Sequence, residues 1–202
     1  MALEPVDLEL DQDLPRRLRQ IIRRGEEVIE SFGRHRRDGE LAGFVPADHQ
    51  LVALALLSLR EHPLLAGDLF LEWGSGLGII TMVAAEIGYE AQGIEILPEL
   101  VDQAEELADE LGVSCAFVCG SCVPTAAQDA VEEAGEGFWI GDGGLDGHEL
   151  LDLDPADADL VYAYPWPGEQ GLFERLFDRV AGSGALFLSY NGVEGLRLLR
   201  KC

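Results

Sequence analysis

The stretch Leu69-Phe70-Leu71-Glu72-Trp73-Gly74-Ser75-Gly76-Leu77-Gly78 joins an apolar run to an acid and three glycines, and the apolar run 79–85 follows it. This order predicts a buried parallel strand, a tight turn and the first turns of a helix. Glycine has no Cβ, so such a turn tolerates positive φ and lets a ligand approach the backbone. Because open α/β sheets bind ligands at the carboxyl ends of their strands, the stretch predicts a ligand site.

The spacing of the glycines separates two classes of nucleotide site. A dinucleotide fingerprint, G-x-G-x-x-G, needs a third glycine where this chain has Ile79. The chain instead reads Glu72-x-Gly74-x-Gly76-x-Gly78, which resembles motif I, (D/E)-x-G-x-G-x-G, of the class I S-adenosylmethionine (SAM) methyltransferases. The resemblance extends over about residues 44–190. It implies an α/β fold, a three-layer Rossmann-like sandwich with a mostly parallel sheet, and SAM-dependent methyl transfer.

A second feature agrees with the resemblance. The run 91–96 reads as the next strand and carries Glu95 near its end, seventeen residues beyond Gly78. In the resembled family this acid accepts both ribose hydroxyls of SAM, and a carboxylate has the oxygens to do so. The alternative is a purely structural glycine turn and a surface acid. The resemblance implies the following cofactor-binding residues: Glu72, Gly74, Ser75, Gly76, Gly78, Glu95, Ile96, Ser121 and Cys122.

The expected adenine contact departs from the family pattern. Class I enzymes often carry an acid just after their third strand, which hydrogen-bonds the adenine amino group. Here the strand 116–119 is followed by Gly120-Ser121-Cys122, so Ser121 stands where Asp is usual. A hydroxyl accepts the same hydrogen bond less strongly, and Asp142 is a second candidate for the contact.

The candidate catalytic residues are Tyr164, Trp166 and Glu169, which follow the predicted strand 159–164. Family members that methylate bases or glutamine carry (D/N)-P-P-(Y/F/W) there, whereas this chain has Tyr164-Pro165-Trp166-Pro167. Aromatic faces can hold a cationic amine, and a Glu can accept a proton or pair with an ammonium. Tyr190 and Asn191 end the neighbouring strand and are further substrate-side candidates. The alternative is a rigid, packed turn.

The resemblance divides the chain into an N-terminal helical extension, residues 1–43, and a SAM-binding methyltransferase-like domain, residues 44–202. Phe44-Val45-Pro46 is similar to an aromatic-x-Pro stretch that packs over the methionine end of SAM in some members. After the predicted strand 185–190 only 196–200 could form another strand, which predicts a sheet shortened at its C-terminal edge. The pattern predicts helices over 14–32, 48–60, 79–87, 98–111, 125–134 and 171–180.

Charge bears on the partners. The net charge is −24, and no Lys or Arg occurs between Arg60 and Arg175. This absence argues against nucleic acid as the acceptor and is compatible with a protein side chain or a small molecule. The N-terminus has no signal-peptide pattern and no apolar run reaches the length of a membrane span, so we expect a cytoplasmic protein without membrane contact.

We expect no metal site, because Cys115, Cys119 and Cys122 have no fourth ligand at a zinc-like spacing. The leading hypothesis is therefore a SAM-dependent methyltransferase with an unidentified acceptor. A non-catalytic SAM-binding or interaction protein on the same fold is the alternative, favoured by Ser121 and by Tyr164 in place of Asp or Asn. Ile79 argues against a nicotinamide-dependent oxidoreductase.

Overall fold

A single sheet of seven strands forms the centre of the molecule in the computed structural model. The structure describes residues 3–10, 12–35, 47–62, 64–134 and 144–202, with the backbone alone at 32–35, 132–134 and 193. The strands are β1 (Leu3–Pro5), β2 (Leu69–Trp73), β3 (Glu90–Glu95), β4 (Ala116–Cys119), β5 (Leu160–Ala163), β6 (Leu186–Tyr190) and β7 (Leu196–Lys201).

The strand order is β1-β7-β6-β5-β2-β3-β4. Strands β4, β3, β2, β5 and β6 are parallel, while β7 is antiparallel to both β6 and β1. The order reverses at β2, which pairs with β3 on one side and β5 on the other. Ligands of open α/β sheets bind at such a reversal, beyond the carboxyl ends of the strands.

Helices cover both faces of the sheet, and each face has its own apolar core. Helices α1 to α4 pack on one face, and α5 and α7 pack on the other. The sheet and its layers confirm the predicted Rossmann-like sandwich. The helices are α1 (Arg16–His35), α2 (His49–Glu61), α3 (Ile79–Ile87), α4 (Pro98–Leu111), α5 (Gln128–Ala134), α6 (Gly147–Leu150) and α7 (Gln170–Val180).

Local chemistry sets several of these boundaries. Asp48 caps α2, because its side chain accepts a hydrogen bond from the Leu51 backbone N–H at 3.0 Å. Pro98 occupies the first turn of α4, where a missing N–H costs nothing, and Gly112 ends the helix in the left-handed conformation. Strand β2 is apolar apart from Glu72 and is buried over its last four residues, as expected for a central parallel strand.

The prediction of a shortened sheet edge is wrong. The C-terminal segment supplies one strand, β7, as expected, but β1 from the N-terminal side pairs with it and completes the edge. Leu3 lies opposite Lys201, and Pro5 lies opposite Leu199. The three-residue strand gave no periodic signal in the sequence, since β-strand patterns need at least four residues to show alternation.

Helix α1 is tied to the sheet domain by ion pairs and by close packing. Arg17 lies 3.2 Å from Glu86 of α3, and Arg24 donates two hydrogen bonds to Glu110 of α4, at 2.7 and 2.9 Å. A Cβ at Gly25 would lie 2.5 Å from the Ile79 side chain, so the two helices cross closely there. The proposed boundary at residue 43 lies outside the described residues.

Candidate active site at the carboxyl edge of the sheet

The glycine turn between β2 and α3 is fastened to the neighbouring strand. The backbone N–H groups of Gly74 and Ser75 both donate to the Ile94 carbonyl of β3, each at 2.9 Å. Gly74, Gly76 and Gly78 all have positive φ, at 76°, 54° and 69°. Residues with a Cβ disfavour these positive φ angles, which explains the three glycines of the motif.

The turn is closed on one side and open on the other. A Cβ at Gly93 would lie 2.8 Å from the Ser75 side chain, and a Cβ at Gly78 would collide with the Phe117 ring. A Cβ at Gly74 would meet no atom within 4 Å. Open space therefore lies above Gly74, at the carboxyl end of β2.

Glu72 links the end of β2 to the first turn of α3, which follows the glycine turn. Its carboxylate accepts hydrogen bonds from the Thr81 backbone N–H at 2.8 Å and from the Thr81 hydroxyl at 2.5 Å. It thereby caps the first turn of α3, where negative charge is favourable. Burial raises the pKa of Glu72 to about 8, although the Thr81 hydrogen bonds oppose the rise. A direct contact of Glu72 with the cofactor stays a prediction.

Glu95 lies at the end of β3 with its carboxylate almost filled by backbone donors. Oε2 accepts from Gly76 N–H at 2.8 Å, and Oε1 accepts from Ile96 and Leu97 at 2.9 and 3.0 Å. A carboxylate offers about four acceptor positions. One position, on Oε2, is left for a ligand hydroxyl, which is one fewer than the expected pair of ribose contacts needs.

The three remaining cofactor candidates lie at the ends of β3 and β4. Ile96 is 39% exposed. Ser121 is buried, and its hydroxyl accepts from Val123 N–H at 3.1 Å. Burial, with the charges of Glu95 and Glu169, raises the pKa of the Cys122 thiol to about 12, so this thiol stays protonated. Whether Ser121 contacts adenine stays a prediction, and Asp142 lies outside the described residues, as do Phe44, Val45 and Pro46.

The candidate acceptor side lies where β5 and β6 end. Tyr164 and Tyr190 pack edge to face there, with ring centroids 5.0 Å apart. Ala163 of β5 pairs with Ser189 of β6 and with Trp73 of β2, so Tyr164 follows directly beside Gly74. The prediction that this strand ends beside the glycine turn is therefore confirmed.

Tyr162 adds a polar group that the sequence analysis missed. It pairs with Glu72 in the sheet register and is 1% exposed. Its hydroxyl has no hydrogen-bond partner in the described part of the chain. Burial raises its pKa well above the ordinary value, and the nearby Glu72, Tyr164 and Tyr190 contribute to the rise. Its role could not be predicted from the sequence, because a tyrosine inside an apolar strand is indistinguishable from an ordinary core residue.

Trp166 and Glu169 lie in the turn before α7 and are not part of the tyrosine pair. Trp166 is half-buried in the turn, and its carbonyl accepts from Glu169 N–H at 2.8 Å. Glu169 is 3% exposed and precedes α7, and its charge acts on Cys122, which packs against the same core as α7. The catalytic assignment of the three residues stays a prediction, and Tyr164 has the better position for it.

Among the residues that the structure describes, no group of three or more His, Cys, Asp or Glu side chains could hold a metal ion. Likewise, none of the described helices is long and apolar enough to cross a membrane. The residues fit SAM in two respects, namely the open space at Gly74 and the free acceptor position on Glu95. SAM needs both, because its ribose hydroxyls donate and its methionine half requires a close approach to the backbone.

No family model matches the chain. Over 78 residues it is 37% identical to the ribosomal protein L11 methyltransferase of Thermus thermophilus, an alignment covering 39% of this chain and 30% of that protein. Over 94 residues it is 34% identical to the ubiquinone biosynthesis O-methyltransferase of Methylococcus capsulatus, covering 44% and 38%. The chain thus spans about a third of the length of these curated relatives.

The fold has a counterpart among solved structures. An RNA methyltransferase from Salinibacter ruber, in complex with S-adenosyl-L-homocysteine, superposes with a TM-score of 0.51 and 23% sequence identity. The match covers 78% of this chain and 92% of that one. This similarity confirms the fold that the glycine motif predicted.

Proposed function

We propose that this chain, a class I SAM-dependent methyltransferase by fold and by local sequence similarity, binds SAM at the Leu69–Gly78 turn and transfers its methyl group to an acceptor. One observation carries the proposal. The glycine turn lies at the reversal of the strand order and opens above Gly74, with Glu95 at the end of the adjacent strand.

Bound SAM would supply an electrophilic methyl group on a positively charged sulfur. Transfer to a lone pair of the acceptor would leave S-adenosylhomocysteine (SAH), with the electron pair of the broken sulfur–carbon bond on sulfur and any proton of the acceptor released. The chain's task is to place the acceptor in line and exclude water. Tyr164 can orient the acceptor, because it follows β5 directly beside Gly74, and Tyr190 packs against it from the end of β6.

The cofactor assignment is tested by calorimetry with SAM, SAH and NAD. We expect SAM and SAH to bind and NAD to give no heat of binding. Glu95→Gln should weaken SAH binding by roughly tenfold or more, because the loss of a hydrogen bond to a charged group costs about 1.5–3 kcal/mol. Its melting temperature should also fall, since Glu95 accepts three backbone N–H groups.

The matched control is Glu90→Gln, which makes the same charge change at the exposed, opposite end of β3. It should leave both SAH affinity and melting temperature unchanged. Binding of NAD alone would overturn the cofactor assignment. An unaltered SAH affinity in Glu95→Gln would remove Glu95 from the site.

We further propose that the acceptor is a protein side chain or a small molecule and that nucleic acid is not the acceptor. Lys and Arg are absent from 61–174, and Glu95 lies at the end of β3 beside the turn, so a phosphate backbone would meet no Lys or Arg from this part of the chain. We expect no change in the anisotropy of labelled duplex DNA or RNA at about physiological salt. A salt-dependent rise in anisotropy would contradict this.

The tyrosine pair separates an enzyme from a non-catalytic SAM-binding protein. Incubation of fractionated lysate with labelled SAM should reveal an acceptor. Tyr164→Phe, Tyr190→Phe and Trp166→Ala should then lower turnover about tenfold or more while SAH affinity changes little. Tyr89→Phe is the control, because Tyr89 is a buried tyrosine that donates to the Leu56 carbonyl, in the core formed with α2.

If Trp166→Ala lowers only the melting temperature while the folded fraction turns over normally, then Trp166 is part of a packed turn. Absence of labelled product from every lysate fraction, with SAH binding intact, would favour the non-catalytic alternative. The departures at Ser121 and Tyr164 are the observations on which that alternative rests.

A further inference from the structure

A buried chain of hydrogen bonds joins Trp73, His148 and Asp146. The Trp73 indole Nε1 lies 3.1 Å from His148 Nε2, and His148 Nδ1 lies 3.0 Å from Asp146 Oδ1. Trp73 is 2% exposed and His148 is 1% exposed. His148 stands in a glycine- and acid-rich stretch without a recognisable motif, so its sequence context does not indicate a role.

The chemistry of the partners fixes the proton on His148. An indole N–H can only donate, so His148 Nε2 must accept. The proton of the neutral imidazole is then on Nδ1 and is donated to the Asp146 carboxylate. Burial lowers the pKa of His148, although the hydrogen bond and charge of Asp146 oppose the shift, and the neutral form agrees with this arrangement.

Asp146 and its neighbours hold a segment of backbone against the sheet, and His148 links that segment to β2. Asp146 Oδ2 accepts from Thr125 N–H at 2.6 Å, and Oδ1 also accepts from His148 N–H at 2.9 Å. The backbone on either side of Asp146 pairs with Ser121, through Ser121 N–H to the Leu145 carbonyl at 2.7 Å and Gly147 N–H to the Ser121 carbonyl at 2.9 Å. Segment 144–151 therefore lies against the end of β4, and its side-chain link to β2 is His148.

This segment carries exposed apolar side chains to the edge of the candidate cofactor site. Among the described residues, the large apolar side chains left exposed are Ile96, Leu97, Leu145 and Leu150. Gly120 N–H donates to the Glu95 carbonyl at 2.9 Å, and Ser121 follows it, so Glu95 and Leu145 are linked through two successive hydrogen bonds. Exposed apolar side chains near Glu95, the candidate ribose contact, suit the face of a purine ring.

We propose that His148 is a positioning residue for SAM, which holds segment 144–151 against Trp73 so that the segment forms the adenine side of the cofactor site. The inference rests on the proposed function. Trp73 is the residue directly before Gly74, so the hydrogen bond connects the adenine side to the base of the glycine turn. Loss of this hydrogen bond removes the side-chain link of the segment to β2 and lets the segment shift, while its backbone hydrogen bonds to Ser121 remain.

The test uses His148→Phe, Trp73→Phe and the double variant, with SAH as the calorimetric ligand. His148→Phe leaves the buried indole donor without an acceptor, so both the melting temperature and the SAH affinity should fall, the affinity by about tenfold. In the double variant the indole donor is no longer stranded, so the melting temperature should fall less than the sum of the two single losses. Part of the loss remains, because Phe fills less of the core than the buried Trp73. The SAH affinity should stay as low as in His148→Phe.

That divergence distinguishes a positioning role from a merely structural one, in which affinity would recover together with the melting temperature. His49→Phe is the matched control, because His49 is buried in α2 and lies 3.4 Å from Glu26. It should lower the melting temperature and leave SAH affinity unchanged. Wild-type affinity in the His148→Phe or double variant would overturn the proposal, whereas a wild-type protein that binds no SAH would overturn the proposed function instead.

Discussion

Gly78→Ala should cost roughly 2–5 kcal/mol of unfolding free energy and abolish measurable SAH binding. The backbone φ of Gly78 is 69°, which costs a residue with a Cβ about 1–2 kcal/mol. The new methyl group would also collide with the Phe117 ring, and overpacking costs about 1–3 kcal/mol. Gly78 directly precedes α3, so any backbone shift that removes the collision also moves the glycine turn. Chemical denaturation and calorimetry measure the two effects.

Two further glycine variants separate the effect of backbone strain from that of a steric collision and from that of filling the ligand space. Gly112→Ala has a similar φ of 64° with no atom within 4 Å of the new methyl group, so it should lose about 1–2 kcal/mol and keep its affinity. Gly74→Ala is equally free of collision, but its methyl group enters the open space above the turn. It should match Gly112→Ala in stability and lose SAH affinity. Equal affinities in these two variants would place the ligand elsewhere.

The stability of the protein should fall by several kcal/mol between about pH 4.5 and pH 8 through Glu72 alone. Burial raises the pKa of this carboxyl to about 8, so the folded state keeps a proton that the unfolded state has released. The folded state therefore binds more protons throughout this window, and stability decreases as the pH rises. Each pH unit within the window costs about 1.4 kcal/mol.

Glu72→Gln tests this, because the amide carbonyl can still accept from Thr81 and cannot ionise. The difference between the variant and wild-type unfolding free energies, measured from pH 5 to pH 9, should rise steadily in favour of the variant. The difference also cancels the contributions of His49 and His148, whose lowered pKa values make stability increase with pH. A flat difference curve would show that Glu72 ionises freely in the folded protein.

The sequence predicted the elements whose side chains alternate in burial or repeat with helical periodicity. Helix 79–87 and helix 98–111 were predicted with their observed bounds, because Gly78, Pro98 and Gly112 mark their ends chemically. The position of Tyr164 beside the glycine turn also followed from sequence, since the family order places that strand against β2. Helix-terminating residues affect only the few residues around them, so a single sequence is enough to predict these boundaries.

The rest depends on contacts between distant residues. Nothing near Leu3 indicates that it pairs with a strand almost 200 residues later. Likewise, Gly76 of the glycine turn fills one acceptor position of Glu95 from nineteen residues away, so the number of positions left for ribose could not be predicted. The hydrogen bond between Trp73 and His148 spans 75 residues and joins two side chains that separately resemble core.

The pairing of β1 with β7 has a consequence for the order of folding. Among the described strands, β1 is made first, and β7, the described strand that pairs with it, is made after the other five. Contacts of such large sequence separation form slowly, since the chain between them must first be ordered. The edge of β7 therefore stays open until the rest of the sheet has assembled, and an open edge invites pairing with another chain.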